Sequence, residues 1–327
     1  MSAVRFVGLR KSFGDRRVLD GLDFSIARAE VYGLLGPNGS GKSTAINILC
    51  NLLDADSGAV EIAGRPASPA ARSVIGFCPQ EIALYKDLFP AENLRFFADI
   101  YGVPKADAAG RIAELIRLFG FERFARIPVS ELSGGWQRRL NIAVALVHSP
   151  EILVLDEPTS ALDLEARHEL WRTIEALKKR GMTVLLTTHH LDEAEQLCSR
   201  IGVMKNGRIA REGSVSELLS LVPAKAIALI EVGDTAALLA RASQLGWGVR
   251  RYAGKIGCLL PQQVALEEVV RALSGIGVSS VSLQRVSLEQ AYFEILQEGR
   301  EPPSTNPDDS TLAQGSEAPT PVSRPTA

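Results

Sequence analysis

Nine consecutive residues, Gly36-Pro37-Asn38-Gly39-Ser40-Gly41-Lys42-Ser43-Thr44, hold the densest chemistry in the chain. Their spacing is G-x-x-x-x-G-K-[ST], that of a phosphate-binding loop. Glycines let main-chain N–H groups converge on phosphate oxygens, because no Cβ stands between them. A helix that starts here turns its positive end toward the same anion. Lys42 is placed to reach β- and γ-phosphates, and the Ser43 hydroxyl to ligate Mg²⁺. A second group is Asp156-Glu157, delivered by the apolar run 152–155. Asp156 suits Mg²⁺, directly or through water. Glu157 suits a general base on an attacking water, a role that contributes about 10²–10⁴-fold. A third is Leu132-Ser133-Gly134-Gly135-Trp136, followed by Gln137-Arg138-Arg139.

Such side chains need strand ends and helix starts to hold them. The run 31–36 (VYGLLG) ends in the Gly-rich loop, and 43–53 (STAINILCNLL) follows with helical spacing. The runs 151–157 and 183–189 are short and nearly continuously apolar, as buried parallel strands are. Between them 164–181 reads as an amphipathic helix ending at Gly181. Strand, helix, strand in this order predicts an α/β fold with a parallel sheet, whose ligands gather at the carboxyl ends of its strands. Residues 223–298 read separately, as β-α-β-β-α-β with a last helix, the order of a small ferredoxin-like α+β module. Residues 299–327 hold six of the 17 prolines and no aromatic residue, which predicts a disordered tail. The expected division is a nucleotide-binding domain at 1–222, an accessory domain at 223–298 and the tail at 299–327.

The phosphate loop, LSGG, LVLDEP and TTHH segments, in this order, resemble the nucleotide-binding subunit of ABC transporters over about residues 3–222. LSGG is the most specific of them, because other phosphate-loop families lack it. The resemblance implies a P-loop ATPase of ABC type with a helical signature subdomain, and further roles. Phe13 takes the place of the aromatic that stacks on adenine. Gln80 matches the Q-loop glutamine, which contacts Mg²⁺ and water and senses the membrane partner. Ser160-Ala161-Leu162-Asp163 matches the D-loop, which lies across a dimer interface. His189 matches the switch histidine at the γ-phosphate, with His190 where tyrosine is frequent. His148 and His168 get no role. Trp136 stands where glutamine is commoner, and Ala29-Glu30 where Gly-Glu is common. The segments 85–102, 185–218 and 287–296 resemble ATPase subunits of the ABC-2, multidrug-exporter type.

In that family ATP on one subunit is closed by the LSGG of another. One phosphate loop and one LSGG in this chain therefore imply a second nucleotide-binding subunit, most simply a second copy. No stretch reaches the ~18 apolar residues of a spanning helix, and the N-terminus has no apolar signal core. Transport then requires a separate permease, with this chain cytoplasmic and peripheral on the inner face of the membrane. The rival is a soluble ABC-type ATPase of DNA repair or translation. Such machines usually carry two nucleotide domains, a coiled coil or zinc motifs, and none is visible here. With 36 Lys plus Arg against 38 Asp plus Glu, the net charge of −2 excludes nucleic-acid binding driven by bulk charge. Cys50, Cys78, Cys198 and Cys258 are scattered, without zinc or disulfide spacing, and read as small buried thiols.

Overall fold

The computed structural model of the 327-residue chain describes residues 2–252 and 255–297; the expected tail lies outside them. The elements run β1 (Ser2–Phe13), β2 (Arg16–Ala27), β3 (Val31–Leu35), α1 (Lys42–Leu49), β4 (Ser57–Ile62), β5 (Arg65–Pro66) and β6 (Ile75–Cys78). Three helices follow: α2 (Pro90–Ile100), α3 (Lys105–Phe119) and α4 (Gly134–Ala145). Next come β7 (Ile152–Asp156), α5 (Leu164–Lys179), β8 (Thr183–Thr188), α6 (Leu191–Leu197), β9 (Arg200–Lys205), β10 (Arg208–Gly213) and α7 (Val215–Leu219). The last part holds β11 (Ala226–Val232), α8 (Thr235–Gln244), β12 (Gly248–Tyr252), β13 (Lys255–Leu260), α9 (Leu266–Ala272), β14 (Val278–Arg285) and α10 (Leu288–Gln297).

The continuously apolar runs became the centre of a six-stranded sheet, β10-β9-β3-β8-β7-β6. All neighbours are parallel except the β9–β10 pair. Every residue of β3, β7 and β8 is buried, because both faces are covered and successive side chains alternate between them. Tyr32, Leu34, Ile152, Val154 and Leu185 enter one apolar core with α1 and the antiparallel sheet β2-β1-β4-β5. There Phe6, Phe24 and Tyr32 stack in file, with ring centroids 4.2 and 5.1 Å apart. Val31, Leu35, Leu153, Leu155, Val184 and Leu186 enter the opposite core with helices α2 to α6.

One expected boundary shifts. Helix α1 ends at Leu49 rather than 53, because Cys50 caps it and Asn51 turns left-handed at φ 54°. Ala29, standing where glycine is common, is left-handed too, at φ 57°.

The elements after Pro223 follow the expected β-α-β-β-α-β order. They build an antiparallel sheet β12-β13-β11-β14. One face packs Ala228, Ile230, Cys258 and Leu260 on α8 and α9. From the other, Ile227, Leu259 and Tyr252 join Leu288, Ala291 and Ile295 of α10 in the large core that the sheet's helices share.

Candidate active site

The carboxyl ends of β3, β8 and β7 lie side by side, and the phosphate loop, Asp156, Glu157 and His189 sit there, with Gln80 after the neighbouring β6. Gly36 to Gly41 form the loop between β3 and α1. A Cβ on Gly36 would stand 2.6 Å from Ser40 Oγ and 2.8 Å from the Met204 carbonyl. One on Gly41, at φ 107°, would stand 2.7 Å from Leu19 Cδ2 and 3.0 Å from the Val18 carbonyl. Contacts under 3 Å are below van der Waals separation, so only glycine fits. The buried Ser40 Oγ has no hydrogen-bond partner. A loop without side-chain bulk, an unpaired hydroxyl and the open N-terminus of α1 together fit a phosphate chain.

Lys42 is 5% exposed, and its Nζ donates to the carbonyls of Gly36 (2.8 Å) and Pro37 (3.3 Å). Burial lowers its pKa, and the charges of Glu157 and Asp156 oppose that shift. Glu157 Oε1 lies 4.0 Å from Lys42 Nζ, and Glu157 Oε2 lies 3.1 Å from His189 Nδ1. The carboxylate is thus held between the phosphate-loop lysine and the histidine that follows β8. Glu157 is left-handed at φ 45°, and its N–H donates to Thr187 O and Oγ1 at 3.0 and 3.1 Å. Thr187 Oγ1 also donates to the buried Asp156 Oδ1, across the β7–β8 register pair Asp156–Thr187.

A cleft of about 450 Å³ is lined by Gln80, Glu157, Arg16, Val18 and the loop residues 38–44 other than Ser40. The donor set for a divalent cation (Ser43 hydroxyl, Asp156 carboxylate, Gln80 amide) is all oxygen, which suits hard Mg²⁺. Phe13 does not line this cleft. It pairs with Arg16 across the β1–β2 hairpin and is half exposed.

Ser133, Gly134 and Gly135 also lie outside their own chain's cleft. Ser133 and Gly134 are exposed at the start of α4. A Cβ on Gly135 would stand 2.8 Å from Ala166 Cβ. Asp163 caps α5, accepting from the Ala166 N–H at 2.8 Å. Trp136 packs on its own chain, with the guanidinium groups of Arg123 and Arg139 4.6 and 4.3 Å from its ring centre and Phe124 beside it. Sequence reasoning gave no role to Arg138 and Asn141. Both are buried on one face of α4 and bonded to the segment 79–83. Their being polar on an otherwise apolar face was the available signal.

The ABC transporter family profile matches residues 19–160. A daunorubicin resistance ATP-binding protein of Streptomyces coeruleorubidus is 36% identical over 307 residues, covering 91% of this chain and 97% of its own. The chain belongs to the ABC transporter family. Other ABC relatives include a Nod factor export ATP-binding protein of Paraburkholderia xenovorans, 41% identical over 67% of this chain and 73% of its own. A linearmycin resistance ATP-binding protein of Bacillus subtilis is 39% identical over 65% and 69%. Among solved structures, an ATP-binding subunit of an ABC transporter superposes with a TM-score of 0.60 at 30% identity, covering 67% of this chain and 93% of that one. A dimeric ABC cassette in a post-hydrolysis state, bound to ADP and Pi, gives 0.58 at 29% identity over 64% and 98%. The mixed α/β fold is that of an ABC ATPase, and the chain is an ATP hydrolase of that kind.

Proposed function

We propose that this chain is the motor subunit of an ABC-2 type exporter, hydrolysing ATP to drive a separate membrane permease. Full-length likeness to a drug-resistance ATP-binding protein and likeness to export ATP-binding proteins support that reading. No helix among the described residues is long and apolar enough to cross a membrane, which agrees with a separate permease. Residues 1–222 are the cassette and 223–298 an accessory module. Two copies meet, because the signature residues of one chain lie outside its own cleft and are free to cap a partner's nucleotide.

The observation that carries the chemistry is Glu157 held between Lys42 and His189 beside the phosphate loop. The N–H groups of the loop and of α1 take the phosphate oxygens. Lys42 exchanges the Gly36 and Pro37 carbonyls for β- and γ-phosphate oxygens, a stronger, charge-assisted set. Ser43, Asp156 and Gln80 would hold Mg²⁺, which would supply neutralising charge to the bound phosphates. Phe13 stacks on the adenine, swinging over the Arg16 wall. Glu157 takes the proton of the attacking water, while His189 orients Glu157 through the 3.1 Å contact and meets the γ-phosphate. Ser133, Gly134, Gly135 and Asp163 serve the partner's site.

The test is ATP turnover by the purified full chain, with and without membranes that carry its permease. Glu157→Gln is expected to keep ATP binding and lose about 10²–10⁴-fold in turnover. Wild-type turnover in that variant would refute the assigned base. Stimulation by the permease supports the motor reading, and activity indifferent to every membrane partner overturns it.

A further inference from the structure

Helix α4 does more than open with the signature motif. Arg138, one turn in, is 2% exposed. Its Nε donates to Pro158 O at 2.8 Å. Its Nη1 donates to Pro79 O at 2.6 Å and Gln80 O at 2.9 Å. Its Nη2 donates to Asp156 O at 2.8 Å and Glu157 O at 3.2 Å. A guanidinium has five N–H groups, and here each finds its own main-chain carbonyl. The acceptors come from two segments far apart in sequence: the loop that carries Gln80 and the strand end that carries Glu157. Three residues on, and on the same face of the helix, Asn141 is 3% exposed. Its Nδ2 donates to Glu81 O at 3.3 Å, and its Oδ1 accepts from the Ala83 N–H at 3.2 Å. The loop from 79 to 83 is therefore seated on α4 by its backbone.

We propose that Arg138, seconded by Asn141, is a positioning residue for hydrolysis, fixing the Gln80 loop and the Glu157 strand end in one relation on the helix that the signature motif opens. The inference rests on the roles given above to Glu157 and Gln80. A planar fork suits two sets of carbonyls that meet from different directions. An ammonium at the end of a flexible stem reaches one set at a time. Glu157 needs such a holder. Its backbone is left-handed, and a neighbouring loop that shifted would leave that turn free to relax to a commoner geometry. Lys42 and the phosphate loop make none of these bonds. Loss of Arg138 therefore separates the chemical step from nucleotide binding.

The experiment compares Arg138→Met, Arg138→Lys, Gln80→Ala and Glu157→Gln in the full chain, by nucleotide titration, steady-state turnover and thermal melting. Arg138→Met is expected to keep ATP affinity within about threefold and to lose about 10- to 100-fold in kcat, the size of a small misplacement of catalytic groups. Arg138→Lys is expected to recover part of that loss. The Arg138→Met, Gln80→Ala double variant is expected to turn over no more slowly than the slower single, because both changes disable one unit. Should Arg138→Met fail to fold, Arg138→Lys and Asn141→Ser carry the test: lower kcat at retained affinity supports the proposal, and wild-type kcat in both overturns it. Wild-type kcat in a folded Arg138→Met chain, or fully multiplicative losses in the double variant, overturns the Arg138 inference while leaving the Glu157 reading intact. Wild-type turnover in Glu157→Gln strikes that reading instead.

Discussion

Lys42 shows how a single side chain divides its work. It bridges loop carbonyls and faces Glu157, so its removal is expected to weaken ATP binding rather than the fold. Lys42→Ala should lower ATP affinity by about 10- to 100-fold, the weight of one or two charge-assisted hydrogen bonds, in a calorimetric titration. Glu193 offers a different test. It is fully buried and accepts from Trp171 Nε1 at 3.2 Å. Burial pushes its carboxyl above the ordinary 4.5, and the Trp171 N–H partly holds it back. The folded state thus keeps this proton to higher pH than the unfolded chain does. Its contribution to stability is complete below about pH 4.5 and is lost as pH rises through the folded value. Glu193→Gln should melt higher than the parent near pH 8, the gap closing toward pH 4. The positions proposed for catalysis were legible because phosphate-loop, Asp-Glu and LSGG chemistry is local and its spacing is fixed. Arg138 was not, because its acceptors are carbonyls, and every residue has one.

At the scale of elements, the parallel strands could be read because both-face burial demands unbroken apolar runs. The antiparallel sheet left a weaker trace. Pairing of β1 with β2 shifts register at four places, and Gly8 turns left-handed at φ 57°; such bulges break the two-residue alternation that marks a strand. The turn before β3 can be tested. Ala29 sits at φ 57°, where an L-residue costs roughly 1–2 kcal/mol and glycine loses roughly 0.5–1 kcal/mol in chain entropy. Ala29→Gly should therefore raise the melting temperature by about 1–2 °C. Asp163 works in the other direction. It caps α5 in addition to any part in a dimer interface, so Asp163→Ala should cost about 1 kcal/mol in chemical denaturation even in the monomer.

Across the whole molecule, one apolar core runs from the sheet's helices into the face of the last sheet covered by α10. Ending the chain at residue 222 would uncover the side chains that Ile227, Leu259, Leu288 and Ile295 now bury. That shortened chain should melt lower than the parent and sediment as aggregates; a monomer of unchanged stability would show that residues 1–222 fold without the later elements. In the proposed motor, two copies and a permease depend on how motion passes through each chain, and the seat of the 79–83 loop has a bearing on that. Its holding bonds end on main-chain atoms, so the identities of the side chains beyond Gln80 are not spent on staying in place. Leu84 packs on the core and Tyr85 on Phe96, but the side chains of residues 81–83 make none of these bonds and can be respelled while the seat is unchanged. In the proposed motor, evolution or an engineer could therefore rewrite what those three side chains present to a partner while leaving the engine itself alone.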